Sequence, residues 1–267
     1  MTKQYGFTLI APTKFEAWLT AQSVARTVFT LQLHHTYAPN YAGFNGKNHF
    51  ALQKGMQHFH TLMNGWQDIG QHFSIFPDGM IVTGRSLESS PACIFGFNAH
   101  SICIENIGNF DIGGDEMRPE QREAILQVTA ALCRRFRIPV NSNQVVYHHW
   151  FDLKTGQRTN DAGMTKSCPG SNFFGGNTVE AAETNFLPHV QEILDHQPDQ
   201  PPLSIAYYAT VTTNNLNIRD KPDVTGRRIN VTSTGAVLRV YEEKNNWCRI
   251  AANRQEWVSG KYLRKQA

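Results

Sequence analysis

The chain has 267 residues, 40% hydrophobic and 18% charged, with a formal charge of +3. That is room for one sizeable domain, or a domain with a small module beside it, and no block of like charge marks a nucleic-acid binder. A mild positive charge remains compatible with attraction to an acidic polymer such as a bacterial wall. No stretch reaches the ~18 apolar residues of a membrane span, and MTKQYGFTLIAPTKFEAWLTAQ at the N-terminus lacks the apolar region and cleavage site of an export signal. A soluble chain without a conventional signal is the expectation.

In chain order, TVFTLQLHH (27–35) is an apolar, β-branched run that predicts a strand, and HFALQKGMQHFHTLM (49–63) has helical spacing. QHFSIFPDGMIVTGR (71–85) reads as a hairpin turning at Pro77-Asp78-Gly79. SICIENIG (101–108) predicts a strand that alternates or is fully buried. RPEQREAILQVTAALCRRF (118–136) predicts a long amphipathic helix with proline in its first turn. QVVYHHW (144–150) predicts another strand, and NTVEAAETNFLPHVQEILDH (177–196) a closing helix broken near Pro188. This alternation gives the α/β class, a mixed central sheet flanked by helices. HQPDQPPLS (196–204) then reads as a Pro-rich linker. After it, short strand candidates with turn signals at Asp220-Lys221-Pro222, Thr234-Gly235 and Asn245-Asn246 predict a small all-β barrel. The expected boundaries are 1–195 for the first domain, 196–205 for the linker and 206–267 for the second.

The five cysteines, Cys93, Cys103, Cys133, Cys168 and Cys248, are odd in number and scattered. They read as reduced, with Cys103 and Cys133 in the core, and no disulfide framework is expected. Cys168, in MTKSCPG, is the one expected to carry chemistry. Of the eleven histidines, His34-His35 and His148-His149 each close a strand. One histidine from each pair together with Cys168 makes a His2Cys donor set, three ligands and an open position, as a catalytic divalent metal such as zinc requires. Neighbours on a strand point to opposite faces, so only one of each pair can face a shared ion. His49, His58, His60, His100, His189 and His196 read as solvated or packing residues, with His72 set apart by its place on a central hairpin. On residue types alone, Cys168 stays open between core residue and ligand.

LQLHHT, GWQDIGQHFSIFPDG, HSICIENIGNF, YHHW and KSCPG occur in that order. Together they resemble the zinc-dependent N-acetylmuramoyl-L-alanine amidase family, which includes amidase-type phage lysozymes and peptidoglycan recognition proteins. The resemblance covers residues 27 to 195. It implies Zn2+ held by His34, His148 and Cys168, with His149 standing in if the register of the later pair is off by one. The bond it implies is the amide between N-acetylmuramic acid and L-alanine of the stem peptide. Many members carry a tyrosine, assigned to the catalytic step, where this chain has Gln71. The branch lacking it uses the glutamate of an IGIE motif, which ICIE matches here, so Glu105 is implied as the general base. Lys166 keeps the position of a lysine that stabilises the oxyanion, and Asp161 is a less favoured extra carboxylate. The interval from His148 to Cys168 is twenty residues, longer than in most members. It reads as a loop that either shapes the groove or lies on the surface.

LNIRDKP, the Gly235 turn, NNWCRI and WVSGKYL resemble the bacterial SH3-type domain, which implies wall binding. Its aromatics Tyr241, Trp247, Trp257 and Tyr262 are expected mostly in the small core, and none is assigned as a ligand contact. The expected protein is thus a peptidoglycan hydrolase arranged like phage lysins and autolysins. It would be monomeric, would bind bacterial peptidoglycan but no nucleic acid, and would act on the wall after release or non-classical export. Two alternatives stay open: a catalytically silent recognition protein, which Gln71 keeps in view and the retained Cys168 argues against, and a zinc peptidase acting within the stem peptide.

Overall fold

Alternation along two central strands decides which side of the sheet is core and which side carries polar groups. In β3 (Thr30–His35), Leu31 and Leu33 enter the main core, while Gln32 and His34 point to the other face. In β6 (Ser101–Asn106), Ile102 and Ile104 enter the core, and Cys103 and Glu105 share the face of His34. The two strands are parallel, with His34 opposite Glu105 and Gln32 opposite Cys103.

The structure is a computed structural model and describes residues 1–196, 205–251 and 255–266. Apart from its two ends, the stretch expected as a linker, 196–205, lies outside the described residues. The chain divides into two compact units, Met1–Leu194 and Asp195–Ala267.

In the first unit the remaining strands are β1 (Thr2–Gln4), β2 (Phe7–Ile10), β4 (Phe73–Ile75), β5 (Ile81–Thr83) and β7 (Val145–Tyr147). With β3 and β6 they form a seven-stranded mixed sheet in the order β1-β2-β5-β4-β6-β3-β7. Parallel pairing holds β4, β6, β3 and β7, and antiparallel pairing joins β4, β5, β2 and β1. The β4–β5 hairpin turns at the expected Pro77-Asp78-Gly79. Helices α1 (Pro12–Thr20) and α3 (Pro119–Phe136) cover the core face with Phe15, Leu19, Ile125, Val128 and Leu132. The α3 ends follow from its sequence: Pro119 and Glu120 open it, and Arg134 and Arg135 face the negative end of its dipole. Helix α2 (His49–Leu62) flanks the cavity formed on the polar face, and Met56 joins a second, smaller cluster with Phe44, Ile69, Phe76 and Ile107. The closing segment is two helices, α4 (Val179–Asn185) and α5 (Leu187–His196), divided before Pro188.

Two sequence expectations need correction here. Cys93 and Cys103 are joined in a disulfide, with Cα atoms 6.7 Å apart, whereas Cys133, Cys168 and Cys248 are free and buried. The loop between β5 and β6 folds back over the polar face, which spacing along the chain does not reveal. His148 also does not end a strand. β7 stops at Tyr147, and His148–Trp150 form a single 3-10 turn, so the turn rather than strand alternation separates the directions of His148 and His149.

The second unit is all β. Five strands, β9 (Leu216–Arg219), β10 (Arg228–Thr232), β12 (Glu242–Lys244), β13 (Trp247–Arg249) and β14 (Trp257–Ser259), form one sheet. β8 (Tyr207–Val211), β11 (Val237–Val240) and β15 (Leu263–Lys265) form another. β12 and β13 are joined by Asn245-Asn246, both at positive φ, the two-residue turn whose twist suits a hairpin. The core is aliphatic, built from Val211, Leu216, Ile218, Val240 and Val258 with Ala209 and Cys248. Of the four aromatics expected there, Trp257 is buried, Tyr241 and Trp247 are half-buried and Tyr262 is exposed, so the core closes mainly on small and aliphatic side chains.

Candidate metal centre and active site

His34 from the end of β3, His148 from the turn after β7 and Cys168 from the loop before α4 converge although they lie far apart in sequence. One donor atom from each lies within 4.8 Å of the others. His34 Nδ1 is 3.2 Å from His148 Nδ1 and 3.5 Å from Cys168 Sγ. Two donors sharing a tetrahedral ion at ordinary zinc bond lengths stand about 3.3–3.6 Å apart, so these two separations are close to what such an ion needs, and two imidazoles with a thiol suit its chemistry. All three side chains are nearly closed to solvent, at 4%, 6% and 6% exposure.

Burial sets their protonation. It holds the His34 imidazole well below its ordinary range, helped by the charges of His148 and Lys166. It also brings His148 to about 3, again with Lys166 contributing. Both rings are therefore neutral near pH 7 and offer lone pairs. Burial pushes the Cys168 thiol up, and Glu105 adds to this, so its deprotonation needs a cation beside it. The His35 backbone N–H, 3.4 Å from Sγ, is a ready donor to the resulting thiolate.

The loop is shaped to hold Cys168 here. Gly170 has φ +120°, and a Cβ on it would stand 2.5 Å from the backbone carbonyl of Phe110, so only glycine fits. Ser167 donates to Asp111 Oδ2 and Ser171 N–H to Asp111 Oδ1, both at 2.9 Å. His149 faces away from the cluster: its Nδ1 is 2.5 Å from the Lys166 carbonyl, and its N–H donates to the Cys168 carbonyl at 2.7 Å. It braces the loop and does not join the donor set.

The three residues line a cavity of about 900 Å³ that Glu105, Lys166 and Gln71 also line. Burial raises the Glu105 carboxyl to about 8, against a smaller downward pull from Lys166. Lys166 is exposed at the rim, and its charge reaches His34, His148 and Glu105. Gln71 is fully buried; its Nε2 donates to Ser74 Oγ at 2.9 Å, and its Oε1 has no partner among the described residues. Ser74 is the register partner of Glu105, which places Ser74, Glu105 and His34 in one row across three strands. Tyr37, Phe59 and Trp66 give the cavity aromatic walls.

The long interval before Cys168 stays out of the cavity, since none of residues 152–165 lines it. The loop is organised by Asp152, whose carboxylate accepts from the N–H groups of Thr155, Met164 and Lys154 at 2.9–3.0 Å. Those bonds, from Thr155 and Met164 first, hold the carboxylate at about 2. Gly156, at φ +67°, packs so closely on the Phe95 carbonyl that a Cβ would come within 2.4 Å of its oxygen. Asp161 is exposed on this loop and does not reach the donor set. His72 is likewise outside the cavity. Its Nδ1 accepts from the Cys103 N–H at 3.0 Å, which leaves Nε2–H to donate to the Ser89 carbonyl at 2.9 Å. The sequence reading missed His35, whose contribution to the cluster is a backbone N–H, and the Cys93–Cys103 pair.

Residues 25–171 match the N-acetylmuramoyl-L-alanine amidase family, and residues 214–264 the bacterial SH3 domain. Peptidoglycan-recognition protein LB of Drosophila melanogaster is 36% identical over 89 residues, 33% of this chain and 37% of that protein. Peptidoglycan-recognition protein SC1a of the same organism is 30% identical over 117 residues, 44% of this chain and 60% of that protein. The endolysin of Klebsiella phage KP32 is 27% identical over 107 residues, 36% of this chain and 69% of the endolysin. The chain thus spans between about a third and two thirds of the length of these relatives. Among solved structures, wild-type Drosophila PGRP-LB aligns over 61% of this chain and 84% of its own, at 25% identity and a TM-score of 0.45. The first family match takes in the row of Ser74, Glu105 and His34, with His148 and Cys168, and extends over more than half of the sequence. The chain belongs to the N-acetylmuramoyl-L-alanine amidase family.

Proposed function

We propose that the chain hydrolyses the amide between N-acetylmuramic acid and the L-alanine of the peptidoglycan stem peptide, with zinc held by His34, His148 and Cys168. The observation that carries this reading is the convergence of two neutral imidazoles and a buried thiol in the wall of a cavity that also holds Glu105 and Lys166. Bound there, zinc would act as a Lewis acid toward the scissile carbonyl and make water nucleophilic near neutral pH.

The chain's own groups supply the rest. Glu105 takes a proton from the attacking water and delivers it to the leaving amine; a cation beside it acts in the same sense as Lys166 and returns the carboxyl toward its ordinary, ionised range. Lys166 stands at the rim to meet the negative charge that develops on the carbonyl oxygen. The His35 N–H supports the sulfur charge. Gln71 carries no transferable proton, so its role is to hold Ser74 beside Glu105. The second unit binds the wall, and similarity to a protein named endolysin supports action on the wall itself. No helix among the described residues is long and apolar enough to cross a membrane.

The test is incubation of the zinc-loaded chain with purified muropeptides and identification of the products by mass. Free stem peptides beginning in L-alanine are expected. Cuts between amino acids would make it a peptidase. Retained binding without turnover would make it a recognition protein, the alternative that Gln71 keeps open and the retained Cys168 argues against.

A further inference from the structure

Cys103 lies two residues before Glu105 on the same face of β6, and the loop from β5 closes over it. Gln32 fastens that loop: its Oε1 accepts from the Ile94 N–H at 3.3 Å and its Nε2 donates to the Phe97 carbonyl at 2.8 Å. This seats Cys93 on Cys103, in the wall of the cavity. Both sulfurs and a ring nitrogen of His34 lie within 4.8 Å of one another. His34 Nδ1 faces His148 and Cys168, and its Nε2 is buried with no hydrogen-bond partner among the described residues.

We propose that in the reduced chain Cys93, Cys103 and His34 form a second site for a thiophilic divalent cation such as Zn2+, which the Cys93–Cys103 bond closes in the oxidised chain. Two thiolates and one imidazole are a donor set for this class of ion, and the cavity beside Cys93 leaves a fourth position open to water. Donors around such an ion stand about 3.5–3.8 Å apart, within the present spread once the sulfurs are free to rotate. A phosphine opens the site in a balanced step: the sulfur–sulfur bond breaks, the phosphine takes up the oxygen of a water molecule, and that water's two protons end on the sulfurs. Cation binding then displaces those protons. A neutral imidazole has one lone pair, so His34 serves one donor set at a time. Filling the new set withdraws His34 from His148 and Cys168. Only this competition rests on the zinc site proposed above.

The experiment uses cobalt(II) as the probe, on the full chain, oxidised or reduced with a phosphine and desalted without air. One cobalt per chain is expected in both states. The sulfur-to-cobalt absorption should rise about twofold on reduction, because the bound sulfurs go from one to two. With His148→Ala and Cys168→Ser combined, the oxidised chain should bind none and the reduced chain one. With Cys93→Ser and Cys103→Ser combined, the spectrum should not respond to the reductant. Near-ultraviolet circular dichroism shows whether each variant is folded. If the first double variant unfolds, the contrast between the wild type and the second variant decides. Absorption that does not change on reducing the wild type, or a folded, reduced His148→Ala, Cys168→Ser chain that binds no cobalt, overturns the proposal. Failure of the oxidised wild type to bind cobalt would instead overturn the zinc site proposed above, leaving the reduced double variant as a valid test.

Discussion

Glu105 is a carboxylate on a strand whose neighbours Ile102 and Ile104 are fully buried, a position that packing alone would fill with an apolar or hydroxyl side chain. Burial lifts it to about 8, above its ordinary 4.5. A folded-state value above the unfolded one means that the folded chain binds the proton more tightly. The stability linked to it is therefore complete below about 4.5 and lost as pH rises through about 8. Glu105→Gln should accordingly make the metal-free chain less sensitive to rising pH over that window, read from thermal melts. In the zinc-loaded chain the same change should lower turnover of muropeptides by about 100-fold or more, with zinc content unchanged. Turnover near the wild-type level would remove Glu105 as the proton carrier, and lost zinc would make it part of the metal's surroundings instead. A residue whose removal flattens the pH dependence of stability and lowers turnover in this way would be one kept for its chemistry.

Elements show where the sequence was readable and where it was not. The strand β3 and the helix α3 were legible because hydrophobic periodicity over six to eighteen residues reports a buried face directly. The same period assigned His34 and Glu105 to one face once their register was known. β1, β2 and α1 were not read, because β1 is exposed along its whole length, β2 is buried with no alternation and α1 buries only Phe15 and Leu19, which leaves little periodicity to show. The Cys93–Cys103 bond was invisible because a loop's return path is set by tertiary contacts such as Gln32 on Ile94, not by local pattern. His72 belongs to the same class, tying β6 to the loop through the Cys103 N–H and the Ser89 carbonyl. Burial lowers it to about 3 from 6.5. Here the folded value is the lower one, so its stability is present above about 6.5 and lost as pH falls toward 3, with a slope of about 1.4 kcal/mol per pH unit. Unfolding free energies measured at intervals between those limits should fall less steeply for His72→Gln than for the wild type, by about 1 kcal/mol per pH unit. Equal slopes would mean that His72 is protonated in the folded chain. The slope is the readout because the substitution also disturbs two hydrogen bonds and so changes stability at every pH.

At the scale of the whole molecule, each unit has its own apolar core: Leu31, Ile102, Ile125 and their neighbours in the first, Val211, Ile218, Val240 and Val258 in the second. A unit as small as Asp195–Ala267 draws on the order of 3–5 kcal/mol from a single core. The proposed zinc ligands all lie in Met1–Leu194, so the ion is linked to the folding of that unit alone. Calorimetry of the full chain should therefore show two transitions, the one from the larger unit carrying roughly 2.5-fold the enthalpy of the other, in proportion to length. Free zinc at about 100 times its dissociation constant adds about 2.7 kcal/mol to the larger unit and should raise that transition by about 5–10 °C, leaving the smaller one in place. A chelator should reverse the shift. If zinc moved only the smaller transition, the ion would be bound outside the His34, His148 and Cys168 set. A single transition shifting as one would mean that the two cores unfold together, and the stability of the smaller unit would then depend on the metal held by the larger one.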